Sequence, residues 1–187
     1  GTWNVGALIG YNEGGTITNS HYDIDTVLVN DEHMVSLGGI YGDQYADWFG
    51  NGKSLDNSDY FGNDGTHYLI NDLAGLKNFL GFSDSAESFK LTSSIDLVGL
   101  PRFYIPYLSV TEFDGNNYMI SNLSLDLAAT SFVGFFGSVL GSAVKDIGVT
   151  GTVAGSSNVG GLVGYGQSYS LSNAYFSGEV SGNDMVG

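Results

Sequence analysis

The stretch that decides the fold is Asn158-Val159-Gly160-Gly161-Leu162-Val163-Gly164-Tyr165, because its pattern recurs in the 187-residue chain. Residues 4–11 read Asn-Val-Gly-Ala-Leu-Ile-Gly-Tyr, which is the same pattern 154 positions earlier. Residues 132–137 read Phe-Val-Gly-Phe-Phe-Gly and align with residues 159–164 at a spacing of 27. Matching glycine and apolar positions over such distances indicate one structural unit that is used several times.

The spacing of 27 residues also holds downstream of the quoted stretch. Residues 144–149 align with residues 171–176, residues 151–153 with 178–180, and residues 183–187 with 156–160. A weaker copy at 120–125 aligns with 144–149 at a spacing of 24. A period of 24–27 residues is typical of one solenoid coil, and the alternating or continuous apolar residues within each copy predict short strands.

Stacking is what gives these strands a core. One coil cannot bury its own apolar face, whereas stacked coils place parallel strands about 4.8 Å apart and gather their inward side chains into columns. Crossover connections between parallel strands are right-handed in about 98% of cases. The sequence therefore predicts an all-β fold, a right-handed parallel β-helix with short helical and loop excursions, in which Phe135 and Leu162 touch on adjacent coils.

The repeat also predicts how the chain is divided. We expect residues 1–187 to be one β-helix fragment of a longer chain, with repeat coils at 1–20 and 113–187 and a non-repeating excursion at 21–66. Residues 67–112 are expected to form a coil with a short helix at 73–80 and a loop over 98–112 around two prolines. A second short helix is predicted at 43–49.

Charge and composition exclude several classes of protein. The chain has 20 acidic and 5 basic residues, a formal net charge of −15 and no cysteine. A nucleic-acid-binding protein needs a basic footprint, which is missing here. No apolar run approaches the roughly 20 residues of a membrane span, so we expect neither membrane insertion nor disulfides.

The recurring segments resemble the GLUG motif, Gly-Leu-x-Gly, which is found in bacterial surface proteins similar to filamentous haemagglutinin. The repeat positions are Gly6, Leu8 and Gly10; Gly134, Phe135 and Gly137; and Gly161, Leu162 and Gly164. Only residues 161–164 match the motif in full, since Ala7 and Phe135 depart from it. The resemblance implies secretion to the bacterial cell surface, a parallel β-helix and an adhesive or structural role, as in biofilms.

Acidic turn segments are candidates for a calcium site. Asp56, Asp59, Asp64 and Asp114 lie beside asparagine, glycine or serine and offer the oxygen ligands that calcium prefers. Their spacing matches no EF-hand or calcium-binding nonapeptide repeat. Ordinary turn chemistry explains the same residues and is the favoured interpretation. Calcium is possible and no other cofactor is expected.

Aromatic residues in the non-repeating segments are candidates for ligand binding. Trp48, Phe49, Phe103, Tyr104 and Tyr107 lie there, and aromatic rings stack on sugars or fill cores. The alternative, burial against the solenoid flank, is favoured. In either case these residues lie in segments whose sequence and function can change without disturbing the coils.

Catalysis is not predicted. The pairs Asp23/Asp25 and Asp43/Asp47 share faces, as an acidic solenoid produces by chance, and no histidine lies in a His-Glu-x-x-His motif. The leading hypothesis is a rigid adhesin shaft and display scaffold, and the alternative is a module that binds a host-cell or matrix glycan or protein. A polysaccharide-degrading β-helix enzyme is the third hypothesis. Further coils of its own chain are expected partners, and exposed strand edges favour end-to-end association.

Overall fold

The computed structural model describes residues 6–10 and 17–187, and it is a β-solenoid of about four coils. The predicted all-β parallel solenoid is therefore confirmed. The strands are β1 (Tyr22–Asp23), β2 (Gly39–Ile40), β3 (Gly62–Asn63), β4 (Tyr68–Ile70), β5 (Ser88–Leu91), β6 (Ile95–Asp96), β7 (Ile105–Leu108), β8 (Glu112–Asp114), β9 (Met119–Asp126), β10 (Phe136–Leu140), β11 (Ala143–Lys145), β12 (Gly148–Ala154), β13 (Ser157–Val159), β14 (Val163–Gln167), β15 (Ser170–Ser172), β16 (Tyr175–Ser181) and β17 (Asp184–Val186). The helices are α1 (Gly42–Gly50), α2 (Asn57–Tyr60) and α3 (Leu73–Asn78), and α3 continues as a 3₁₀ segment, Phe79–Phe82.

Three sheets of six, four and three strands run along the coil stack. The first sheet has the order β15-β11-β8-β5-β4-β3, the second β16-β12-β9-β6 and the third β14-β10-β7. Two smaller pairs, β1-β2 and β13-β17, complete the sheets. The strand pairs are parallel except β3-β4, which is antiparallel and ends the first sheet.

The repeat of 27 residues is the register of the stack. Strand β11 pairs with β15 and β12 with β16 at that spacing, so Val149 lies beside Phe176 and Gly151 beside Gly178. The backbone N–H of Phe135 donates to the carbonyl of Gly161, and both Phe135 and Leu162 are buried in the common core. The two residues therefore lie one coil apart on matching rungs, as the repeat predicts.

The spacing of 24 residues is wrong. Ile120 pairs with Val149, 29 positions later, and Val144 pairs with Phe113 instead. The pairing of β9 with β12 also shifts by one residue between Val149 and Gly151. The coils differ in length, and a bulge interrupts one of them. The apolar runs at 120–125 and 144–149 therefore look equivalent in sequence, although Ile120 and Val144 lie in different sheets.

The predicted loop over 98–112 contains a strand, which corrects that expectation. Pro106 lies within β7, which among the described strands is at the edge of the third sheet and pairs with β10. Proline cannot donate a ladder hydrogen bond, and an edge strand is where that loss is tolerated. Pro106 therefore marks a sheet edge and not the absence of regular structure, whereas Pro101 lies in a turn.

Asparagine and aspartate residues turn the corners between sheets. Asn19, Asp146 and Asn173 occupy equivalent positions in three copies of the repeat and have φ angles of 46°, 51° and 49°. Asx side chains tolerate this left-handed conformation better than other non-glycine residues. Nδ2 of Asn173 also donates to Oδ1 of Asp146 at 2.9 Å, which joins adjacent coils at the corner.

The core is built around a chain of phenylalanine rings. The ring of Phe79 lies 4.7 Å from that of Phe89 and 5.3 Å from that of Phe113, and Phe113 lies 5.1 Å from Phe136. Phe135 continues the chain, with its ring 4.7 Å from that of Phe136. All five residues are fully buried. These rings link successive coils through edge-to-face contacts.

The two ends of the stack differ. At the β4 end, Leu76 of α3 and Phe79 of the 3₁₀ segment are fully buried and close the core. The carboxylate of Asp72 caps α3 by accepting from the N–H of Gly75 at 2.8 Å. At the other end, Leu171, Tyr175 and Val186 expose their apolar side chains. The predicted helices at 73–80 and 43–49 are confirmed, although α3 becomes a 3₁₀ segment and Tyr41, the N-cap of α1, supplies no side-chain hydrogen bond.

Candidate functional site

A groove of about 1050 Å³ lies between the third sheet and the N-terminal part of the chain. Its solenoid wall includes Tyr107, Ser138 and Tyr165, and its opposite wall includes residues 17–21 and 36–38. Residues 80–84 and 130–132 also line it. We call this the flank groove.

Three groove residues form one row across the third sheet. Ser138 on β10 pairs in register with Tyr107 on β7 and with Tyr165 on β14. Because the tyrosines are two strand spacings apart, about 9.6 Å separates their backbone positions. Phe132 packs edge-on against Tyr165, with 5.3 Å between ring centroids. The solenoid thus presents two aromatic rings with a hydroxyl group between them.

Gly137, a glycine of the repeat, allows Tyr104 to pack closely at the base of the solenoid wall of the groove. A Cβ atom on Gly137 would lie 2.7 Å from the carbonyl oxygen of Pro106 and 3.2 Å from Cε2 of Tyr104. The ring of Tyr104 is thereby packed against the coil, and only 4% of the residue is exposed. Burial raises the pKa of Tyr104, so its hydroxyl group stays neutral at physiological pH.

The opposite wall is positioned by a buried tryptophan. Trp48 of α1 donates from Nε1 to Oδ1 of Asn19 at 2.7 Å, and its ring packs edge-on against His21 at 5.2 Å. His21 Nδ1 lies 3.3 Å from the carbonyl oxygen of Gly38, and burial lowers the pKa of His21. Trp48 therefore holds Asn19 and His21 in the groove wall without lining the groove itself.

Two contacts tie the walls together. Nε2 of Gln44 on α1 donates to the carbonyl oxygen of Asn78 at 2.8 Å. Arg102, which precedes β7, forms an ion pair with Glu32. The N-terminal part is thus attached to the solenoid at two points.

The five aromatic candidates do not form one surface. Tyr104 and Tyr107 line the flank groove, and Trp48 lies behind its wall. Phe103 is 1% exposed and belongs to the core. Phe49 is 60% exposed on the outside of α1, where the ammonium of Lys53 lies 3.0 Å from its ring centroid. Burial therefore separates these five residues, and only Tyr104 and Tyr107 among them line the groove.

A charged cluster on the first sheet was missed by sequence reasoning. His67 Nε2 lies 2.8 Å from Oε1 of Glu112, and Lys145 Nζ lies 3.0 Å from the same oxygen and 3.5 Å from Oδ2 of Asp114. Burial acts to raise the pKa of Glu112, but hydrogen bonds with His67 and Lys145 outweigh it and lower that pKa. Because 45 positions separate His67 from Glu112, only the stacking of β8 and its neighbours brings the two together.

The calcium candidates are spread over separate turns. Asp56 caps α2 by accepting from the N–H of Ser58 at 2.9 Å, and Asp59 lies in the first turn of α2. Asp64 accepts from Thr66 and His67, which lowers its pKa. Asp114 lies close to His67 and Glu112, and these three side chains could together coordinate a metal ion. Within residues 6–10 and 17–187, none of the other three candidates belongs to such a group. The ammonium of Lys145 already contacts both carboxylates of that group, so a charge network explains it.

The carboxylate pairs considered for catalysis make local hydrogen bonds. Oδ1 of Asp23 accepts from the N–H of Asp25, and Oδ2 of Asp25 accepts from the N–H of Gly42, both at 2.9 Å. Asp47 accepts from the hydroxyl of Tyr60 at 2.7 Å. These carboxylates therefore fix loops and the start of α1.

Replacing Glu112 with glutamine tests the charged cluster. Because its pKa is lowered in the folded state, Glu112 contributes stability above the ordinary glutamate value of 4.5 and loses that contribution as pH falls through the folded value. We expect Glu112→Gln to lower the free energy of unfolding by about 1 kcal/mol at pH 7. The difference between variant and wild type should shrink as pH falls below 4.5 in urea titrations.

Glu87→Gln is the matched control for this measurement. Glu87 is exposed, and its carboxylate makes no hydrogen bond or ion pair with another described residue. The control should change stability little at either pH. An equal loss in Glu112→Gln at pH 7 and pH 3 would show that the charge of Glu112 contributes nothing.

The comparisons with known proteins identify the repeat. The family model described as the GLUG motif matches residues 1–27 and 155–181. No curated protein and no solved structure matches this chain significantly. Among the described residues, no helix is both long and apolar enough to cross a membrane.

The structure shows what the two matched segments share. A Cβ atom on Gly6 would lie 2.3 Å from the carbonyl oxygen of Ile9, and one on Gly160 would lie 2.1 Å from that of Val163. These glycines are 154 positions apart, so the same tight turn occurs in both segments. The chain is a β-solenoid with GLUG repeats.

Proposed function

We propose that this chain is a structural and adhesive segment of a secreted bacterial surface adhesin, in which it serves as a rigid shaft and display scaffold. The observation that supports this most is the register of the three sheets, which share one core along the whole stack. The GLUG motif and the solenoid fold are compatible with an adhesin-like repeat segment. Specific contacts would be made by the segments on the flank.

The proposed shaft derives its stiffness from two kinds of contact. Parallel ladders connect each strand to its neighbours, and interlocked rings such as Phe113 and Phe136 resist sliding of one coil over the next. The six strands of the first sheet extend about 24 Å along the axis. Such a body can hold a binding surface at a fixed distance and orientation.

The proposed location is the bacterial cell surface. A fold that needs no cysteine suits an oxidising environment as well as a reducing one, and a net charge of −15 favours solubility. The same charge opposes nucleic acid as a partner. We therefore propose host-cell or matrix glycans and proteins as partners, without membrane insertion.

We also propose that the chain is not an enzyme. The carboxylates of Asp23, Asp25 and Asp47 each accept a structural hydrogen bond. Glu112 and Asp114 share the ammonium of Lys145. These contacts support structural roles for the five carboxylates, whereas glycoside hydrolysis requires one carboxyl as acid and another as base or nucleophile.

Display on a non-adherent bacterium tests the adhesive role. We expect cells that display the whole chain to attach to surfaces coated with extracellular-matrix proteins or host glycans, measured as retained cells under flow. Cells that display an unrelated acidic protein at equal density are the control. Retention no greater than this control on every surface would contradict the adhesive role.

Duplication of one repeat tests the shaft role. Inserting a second copy of residues 155–181 directly after the first should give a folded protein longer by about 4.8 Å along its axis, because each copy pairs with the next at a spacing of 27 residues. Small-angle X-ray scattering and circular dichroism would measure length and strand content. Loss of folding, or an unchanged length, would contradict a modular shaft.

A further inference from the structure

We propose that the flank groove binds an uncharged oligosaccharide, with Tyr107 and Tyr165 stacking on sugar rings and Ser138 bonding between them. This inference rests on the proposed adhesive function and gives it a site and a ligand class. Three observations on the described residues carry it: the row of side chains, hydroxyl groups without a side-chain hydrogen bond, and a lining without lysine or arginine.

The row provides a platform of fixed dimensions. Tyr107, Ser138 and Tyr165 are in register on three adjacent parallel strands, so the backbone ladder fixes their spacing. Sugar rings have apolar faces that stack on aromatic rings, and a site built on strands is held more precisely than one on a loop. A spacing of about 9.6 Å allows two sugar units of one chain to contact the two tyrosines.

The hydroxyl groups of the row are available to a ligand. Those of Tyr107, Ser138 and Tyr165 make no side-chain hydrogen bond with any other residue in the described ranges, in contrast with Ser142 of the core. Thr130 and Ser131 add further hydroxyl groups to the lining. A hydroxyl group both donates and accepts, as does each sugar hydroxyl, so the two sets are complementary.

Charge selects the kind of sugar. No lysine or arginine lines the groove among the described residues, and the ionisable lining residues other than tyrosine are His21 and Asp84. An anionic glycan would meet the carboxylate of Asp84 and a net charge of −15 without a compensating cation. A purely apolar ligand would leave the hydroxyl groups without partners. An uncharged oligosaccharide satisfies both conditions.

Direct titration of the full chain tests the proposal. We would screen uncharged oligosaccharides (gluco-, xylo-, manno-, galacto- and N-acetylated chito-oligomers) beside heparin and hyaluronan, and measure affinities by calorimetry. We expect at least one uncharged oligomer to bind and the anionic chains not to. Tyr165→Ala and Tyr107→Ala should each weaken binding at least tenfold, and Ser138→Ala should weaken it severalfold.

Two further variants separate stacking from loss of fold. Tyr165→Phe keeps the ring and should keep most of the affinity, whereas Phe49→Ala removes an exposed ring outside the groove and should leave affinity unchanged. Unfolding midpoints would confirm that each variant folds. The inference is overturned if only anionic glycans bind, if no oligomer binds, or if Tyr107→Ala and Tyr165→Ala leave affinity unchanged.

This outcome is distinguishable from failure of the adhesive role. Cells that attach although the isolated chain binds no oligosaccharide would support adhesion and contradict the glycan site. Binding of an uncharged oligomer by the isolated chain without attachment of cells would contradict adhesion and support the site.

Discussion

Replacement of Phe136 with alanine is expected to lower the free energy of unfolding by about 3–5 kcal/mol. Phe136 is fully buried, and its ring contacts those of Phe113 and Phe135 at 5.1 and 4.7 Å. Its strand β10 is the central strand of the third sheet, so coils on both sides hold the cavity open. Urea unfolding followed by circular dichroism would measure the loss.

Phe49→Ala is the matched control. Phe49 carries the same ring but is 60% exposed, so the change should stay within about 0.5 kcal/mol, apart from a small loss of the Lys53 contact. A similar loss of stability in both variants would mean that the ring chain does not hold the coils together.

Replacement of Gly151 with alanine should be as damaging, by a different mechanism. Gly151 has a φ angle of 151°, and a Cβ atom there would lie 2.0 Å from the carbonyl oxygen of Leu123 on the neighbouring strand. Both the strained backbone and the clash with a backbone atom that cannot rotate away oppose the substitution. We expect a loss of about 3 kcal/mol or more in the free energy of unfolding.

Gly50→Ala separates this effect from the general consequences of changing glycine. Gly50 ends α1, and a Cβ atom there would contact nothing within 4 Å. Alanine should leave stability unchanged or raise it by up to about 1 kcal/mol, because it favours helix. If Gly151→Ala were as well tolerated as Gly50→Ala, the close approach of β9 and β12 would be wrong.

The sequence could predict the coil register because identical environments recur. A residue such as Val149 faces the same core as Phe176, so apolar class is retained at a spacing of 27. The predicted spacing is wrong at Ile120, where a bulge and an unequal coil length change the pairing. The predicted loop around Pro106 is also wrong. Proline removes a backbone hydrogen-bond donor, but an edge strand can form without that donor.

The site was predicted less well, because it depends on burial and distant contacts. The sequence indicates Tyr107 as an aromatic candidate in a non-repeating segment, whereas Tyr165 lies in a copy of the repeat. Its position on β14 beside Ser138, and hence its place in the groove, follows from pairing between coils. No local pattern shows that Phe103 points into the core, or that His67 reaches Glu112.

The closed end of the stack also gives folding a direction. A solenoid coil gains stability only from its neighbours, and Leu76 and Phe79 supply one face of that contact at the β4 end before any further coil is formed. Coils farther from α3 have only the strands of other coils as neighbours, so each of them gains a shared core only after another coil has formed. We therefore expect folding to begin beside α3 and to proceed coil by coil from there.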